Sequence, residues 1–186
     1  MPDEISQLIV VNSADGFRAK LSYYERGAKG WERIAGGIDV VIGRNGLGKR
    51  KEGDGKTPVG LFSFGDVYGY SDIETKMPFF ISDKSLICVD DVNSRYYNRI
   101  VDSSRIKRDF KSFEYMRRDD DLYEIVVTVG YNSKNVPSKG SCIFLHVTKG
   151  EKPTAGCIAM RREDILKLVE WLDPKKRPTI LVGNGQ

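Results

Sequence analysis

The chain has 186 residues, 40% hydrophobic and 30% charged, ordinary values for a globular protein with enough length to bury a real core in one domain, residues 1–186. Its net charge of +4, from 30 Lys and Arg against 26 Asp and Glu, is slight and interspersed, which argues against a nucleic-acid partner and fits a polyanionic neighbourhood. No apolar run approaches the ~20 residues that span a bilayer, so no membrane span is expected.

The start, Met1-Pro2-Asp3-Glu4, lacks the basic residues and long apolar segment of a signal peptide. By that reading the chain is cytosolic or has lost a targeting segment. Residues 5–11 read as a first strand, and residues 17–25 alternate and pair with it across a turn cluster at 12–16. Residues 31–42 give a further strand or two, broken at Gly36-Gly37. The glycine-rich loop 43–57 contains Gly55-Lys56-Thr57, but a phosphate loop needs glycine at position 50, which is Arg, and a helix that Pro58 forbids. The loop is either a plain surface segment or a basic cleft edge carrying Arg44, Lys49, Arg50 and Lys51. Strands are expected at 59–68, near 79–81 and at 86–89. Tyr96, Tyr97 and Asn98 either line a groove or pack a loop. The segment 112–118 is too short to classify. Residues 122–131, rich in β-branched side chains, read as a central strand. One helix is clear: Ile165, Leu166, Leu168, Val169 and Leu172 keep helical spacing, Glu163 and Asp164 suit its first turn, and Asp173-Pro174 ends it. The whole predicts a mainly β protein with one main helix, its core a β-sandwich or closed sheet.

The chemistry concentrates between Gly140 and Met160. The only histidine, His146, follows the buried strand residues 143–145, and Cys157 follows Gly156 eleven positions on. A strand, a turn at 149–153 and a return strand would bring imidazole and thiol together. A base beside a thiol yields the far more nucleophilic thiolate. Such a pair titrates with an apparent pKa of about 6 to 8. The backbone N–H groups of Ala155, Gly156 and Cys157 could hold an oxyanion. The alternative is a structural histidine and a buried thiol. Three cysteines without CxxC spacing and one histidine make no zinc set. Cys88 and Cys142 are read as buried thiols in preference to a disulfide, and Cys142 shares strand parity with Phe144 and His146.

The pattern His146…Thr154-Ala155-Gly156-Cys157-Ile158-Ala159-Met160 resembles the YkuD-type L,D-transpeptidases, whose signature is a His followed by Ser/Thr-x-Gly-Cys. Thr57-Pro58-Val59-Gly60-Leu61-Phe62 is similar to that family's Thr-Pro-x-Gly-x-Phe hairpin. Asp90-Asp91, Tyr96-Tyr97-Asn98-Arg99 and the residues from Gly140 to His146 resemble one branch of it. The resemblance covers nearly the whole chain. It implies a cysteine acyltransferase on peptidoglycan tetrapeptide stems, inhibited by carbapenem-type β-lactams, without cofactor or metal, in the periplasm or wall. Cys157 would be the nucleophile, His146 the base, and the Val147 carbonyl the group that orients it. Thr154, Tyr131, Asn132 and Arg161 are the expected substrate-binding residues. Where most of the family carries an Arg this chain has Ala159; either Arg161 or Arg162 replaces it, or both are solvated at the start of the helix. An L,D-carboxypeptidase or endopeptidase would share the same site, and an inactive peptidoglycan-binding module is the reading of another class.

Overall fold

A computed structural model describes residues 4–183; Met1–Asp3, weighed above as a leader, lies outside the described residues. Twelve strands are formed among them: β1 (Gln7–Asp15), β2 (Arg18–Gly27), β3 (Gly30–Val41), β4 (Gly60–Gly69), β5 (Phe79–Ile81), β6 (Leu86–Val89), β7 (Arg99–Asp102), β8 (Phe113–Tyr115), β9 (Ile125–Val129), β10 (Phe144–Val147), β11 (Ile158–Met160) and β12 (Thr179–Gly183). The helix α1 spans Arg162–Trp171. Nine strands form one sheet in the order β12-β1-β2-β3-β11-β10-β9-β4-β5, and β12 also pairs with β4. That last pairing joins eight of them into a ring with β5 hung on the outside, so the mainly β, closed-sheet core expected from the sequence is what forms. Closure leaves few edges to protect. A second sheet, β7-β6-β8, lies apart from the ring.

Alternation sets the core. Ile9 and Val11 of β1, Leu21 of β2, Val40 of β3 and Val182 of β12 point into it, while their neighbours on each strand are more exposed. Ile165, Leu168, Val169 and Leu172, the apolar stripe of α1 and its end, enter the same core. β9, β10 and β11 behave differently because both of their faces are covered. Ile125, Val127, Leu145, Val147, Ile158 and Met160 enter the main core. Val126, Phe144 and Cys157 join Cys88, Met116, Tyr123 and Cys142 in a second cluster, roofed by the small sheet. Strands buried on both faces read as continuous apolar runs, which is why this part of the sequence lacks alternation.

Several expectations are corrected. β3 runs unbroken through Gly36-Gly37; the glycines fall where its register with β2 shifts, so they make a bulge and not a break. β7 and β8, unmarked in the sequence, are short strands that exist through pairing with β6. β10 and β11 pair in parallel, Leu145 beside Ile158 and His146 beside Ala159, so the chain does not simply turn and return. After β10 it crosses over, and Thr154 forms a parallel bridge with Gly43, with Arg44 N–H donating to Thr154 O and Thr154 N–H to Ile42 O. β11 then runs antiparallel to β3. The direction therefore reverses across Ala155-Gly156-Cys157. Finally, Cys88 and Cys142 are joined by a disulfide. Their distance in sequence, 54 residues, hid a pair that the small sheet brings together. Cys142 falls in the same cluster as Phe144, but it lies outside β10 with φ +52, so strand parity is not what places it there.

Candidate active site

The turn that carries Cys157 is assembled from two threonine hydroxyls. Thr154 Oγ1 accepts from Gly156 N–H (3.1 Å) and donates to Cys157 O (2.6 Å). Thr57, fully buried, accepts from Gly43 N–H (2.8 Å) and donates to the same carbonyl (3.3 Å). The first hairpin motif and the cysteine turn, a hundred residues apart, are thus one hydrogen-bonded unit. Gly156 has φ +156, and a Cβ there would lie 2.9 Å from Lys56 O, so glycine is required by close backbone approach.

The loop 43–57 is pinned by Asp54. Its carboxylate accepts from the N–H groups of Arg50, Lys51 and Lys56 and from Lys49 Nζ (3.0 Å). Burial works to raise its pKa, but these donors outweigh it and hold the group well below the usual range. Lys49 is consequently buried in an ion pair, its side chain 3% exposed, and does not face outward as a basic cleft edge would. Glu52 ties this loop to the next, accepting from Tyr97 Oη and Ser141 Oγ, both at 2.6 Å. Asn98 donates to Tyr131 O and Asn132 O and accepts from Cys142 N–H. Tyr97 is packed into the loop, 2% exposed, whereas Tyr96 and Asn98 also line a hollow beside the disulfide.

His146 and Cys157 line one cleft of about 430 Å³, with Glu114, Arg118, Tyr123, Thr154, Ala155 and Ala159. His146 Nδ1 lies 2.8 Å from Val147 O and 3.2 Å from Leu122 O. Carbonyls only accept, so Nδ1 carries the proton and Nε2 keeps its lone pair. Val147 O is thus the nearer of two carbonyl acceptors at Nδ1, Leu122 O being the other. The Cys157 thiol donates to Cys142 O (3.3 Å) and accepts from Phe144 N–H (3.4 Å). The Tyr123 ring meets His146 edge-on at 5.1 Å between centroids, and its hydroxyl donates to Glu114.

Dryness governs the electrostatics. Burial lowers His146 to about 4, against the raising effect of the Val147 and Leu122 carbonyls. Burial, with the Glu114 charge, pushes the Cys157 thiol up to about 12; Phe144 N–H and Lys49 pull the other way. Burial likewise raises the Glu114 carboxyl, while the Tyr123 hydroxyl lowers it. With these shifts, near neutral pH the cleft holds an un-ionised thiol and an unprotonated imidazole, with the thiol hydrogen-bonded to Cys142 O and Phe144 N–H.

The other expected residues are dispersed. Gly156 N–H is committed to Thr154, leaving Ala155 and Cys157 of the three supposed oxyanion donors. Thr154 lines the cleft but spends its hydroxyl on the turn. Tyr131 and Asn132 lie away from it, at a hollow beside the disulfide and in the loop that follows: Tyr131 Oη donates to Lys139 O, and the Asn132 side chain is used by Val136 and Gly140. Arg161 borders a neighbouring hollow beside Glu163 and Asp164, and Arg162 is paired with Glu124. The sequence missed Glu114, Arg118 and Tyr123, which come from β8 and the segment between β8 and β9. Their one signal was a carboxylate set among aromatics at 113–115.

The model of the YkuD family, described as the L,D-transpeptidase catalytic domain, matches residues 6–181. No curated protein matches the chain. Among solved structures, the helical cell shape determining protein Pgp2 from Campylobacter jejuni is similar at a TM-score of 0.50 and 16% identity, over 99% of this chain and 49% of that one. That likeness concerns the fold, and the chain spans about half the length of that protein. No helix among the described residues is long and apolar enough to cross a membrane.

Proposed function

The chain belongs to the L,D-transpeptidase catalytic domain family, and from that premise we propose that it is a cysteine acyltransferase acting on peptidoglycan stem peptides in the cell envelope, residues 6–181 forming one catalytic domain. The observation that carries this reading is the hydrogen bond from His146 Nδ1 to Val147 O, which leaves Nε2 as a free base in the cleft that holds the Cys157 thiol.

The neutral pair defines the order of events. The donor carbonyl, between the L-centre of the diamino acid and the terminal D-alanine of a tetrapeptide, enters the cleft. The Cys157 proton passes to His146 Nε2 as Sγ bonds to the carbonyl carbon. The oxyanion is held by the N–H groups of Ala155 and Cys157. His146 then returns its proton to the nitrogen of D-alanine, the C–N bond breaks, and a thioester remains. An acceptor amine gives up a proton to His146, attacks the thioester and restores the thiol. The imidazolium exists only transiently, within reach of two carbonyls that favour it. A carbapenem, whose strained amide mimics the donor carbonyl, acylates Cys157 once by the same route.

The test is incubation with purified disaccharide-tetrapeptide and mass spectrometry of the products. A cross-linked dimer with release of D-alanine is the expected result. A tripeptide with D-alanine alone means that water is the acceptor at the same site. Unchanged substrate means a binding module and overturns the proposal.

A further inference from the structure

Among the described residues, Cys157 and His146 share their cleft with a single guanidinium, that of Arg118. We propose that Arg118, and neither Arg161 nor Arg162, binds the α-carboxylate of the departing residue on the donor peptide; the proposal rests on the acyl-transfer reading above. The guanidinium is held on one edge and one face, and the residue's main chain is fixed as well. Asp120 takes one edge, Nε donating to Oδ1 at 2.8 Å and Nη2 to Oδ2 at 2.6 Å. The Tyr123 ring lies against one face, 5.1 Å from centroid to Cζ. The Tyr70 hydroxyl clasps the main chain, accepting from Arg118 N–H (2.7 Å) and donating to Arg118 O (3.2 Å).

A guanidinium has five N–H groups in a planar fork. With the Nε–Nη2 edge on Asp120, the Nη1–Nη2 edge remains for a second carboxylate, the bidentate geometry that a lysine cannot offer. The side chain is 36% exposed, open enough to meet a ligand yet oriented before it arrives. The Tyr123 ring that backs Arg118 also contacts His146, so one ring positions both the carboxylate anchor and the base. The other cations are worse placed. Lys49 is buried against Asp54, Lys149 is paired with Asp121, Arg161 lines the neighbouring hollow beside Asp164, and Arg162 is paired with Glu124. Lys152 lines the cleft but is exposed and lacks the fork.

The experiment compares two donor peptides that differ only at the end, a free α-carboxylate against a carboxamide, by kcat/KM for release of the terminal residue. The wild-type protein should prefer the carboxylate by about 10²-fold, the scale of charge-assisted hydrogen bonds. Arg118→Ala should bring the ratio near one while the amide is still turned over. Arg118→Lys, which keeps the charge opposite Asp120 and loses the fork, should fall between, and it carries the test if the alanine variant fails to fold. A wild-type ratio near one, or a ratio unchanged in both variants, overturns the assignment and leaves acyl transfer standing. So does collapse of the ratio in Lys152→Ala and not in Arg118→Ala. Failure of the wild-type protein to turn over either donor overturns the acyl-transfer reading, and this assignment with it.

Discussion

Strand β10 puts Leu145 and Val147 on one side of the sheet and Phe144 and His146 on the other, and all four are buried. The inner side meets the apolar residues of the ring and of α1. The outer side meets the small sheet through Tyr123, Cys142 and Cys157, and there the packing leaves a cleft. Four consecutive residues therefore serve two environments that are alike in dryness and opposite in purpose. On the inner face dryness is the source of stability. On the outer face it lowers the imidazole pKa and raises that of the thiol, so that in the proposed mechanism the proton moves only once a donor carbonyl is bound.

The largest effects should separate the faces outright. Cys157→Ala, a small change on the outer face, should abolish turnover while leaving the far-UV circular dichroism spectrum and the unfolding midpoint close to wild type. Retained turnover would remove Cys157 from the mechanism. Leu145→Ala, one position from His146, should do the reverse: a loss of about 2–5 kcal/mol in stability, read from denaturant unfolding, with turnover per folded molecule little changed. If its turnover fell as far as that of Cys157→Ala, the two faces would not be separable.

The cover over the outer face can be tested next. The Cys88–Cys142 disulfide fastens the small sheet to the segment before β10, and Cys142 O is a partner of the thiol. Cys88→Ala should cost about 2–4 kcal/mol, the usual scale for a native cross-link, measured by thermal unfolding. Reductant should lower the midpoint of the wild-type protein and leave the variant unmoved. Equal midpoints in both proteins, with and without reductant, would mean that the cover does not depend on the link.

These contrasts also explain what was legible in the sequence. The ring is written in local patterns: alternation in β1 and β2, β-branched residues in β9, helical spacing in α1. His146, Val147, Thr154 and Cys157 lie within twelve positions of one another, so a short motif carries them. Arg118, Tyr123 and Glu114 reach the same cleft from a three-residue strand and the segment after it, whose place depends on pairing with β6. No periodicity survives in so short a strand. The disulfide failed for a related reason, since its partners meet only when the small sheet folds over β10. The parallel pairing of β10 with β11 was hidden because the reversal at Ala155-Gly156-Cys157 is built by Thr57 and Gly43, far away in sequence.

The most direct test of the neutral pair is the rate at which a carbapenem acylates Cys157, followed by intact mass against pH in the wild-type protein and in His146→Gln. His146 must be unprotonated to accept the thiol proton. Burial that lowers its pKa to about 4 therefore moves the acid limb of the wild-type profile down, toward 4 and below the 6 to 8 of an ordinary His–Cys pair. The wild-type rate should then stay level through neutrality. His146→Gln should be slower by roughly 10²–10⁴-fold, the scale of losing a general base, and its residual rate should climb with pH as the thiol ionises unaided. Superimposable profiles would show that His146 does not take the proton of Cys157. An acid limb at 6 to 8 in the wild-type protein would show an imidazole whose pKa burial has not lowered, and would contradict the account.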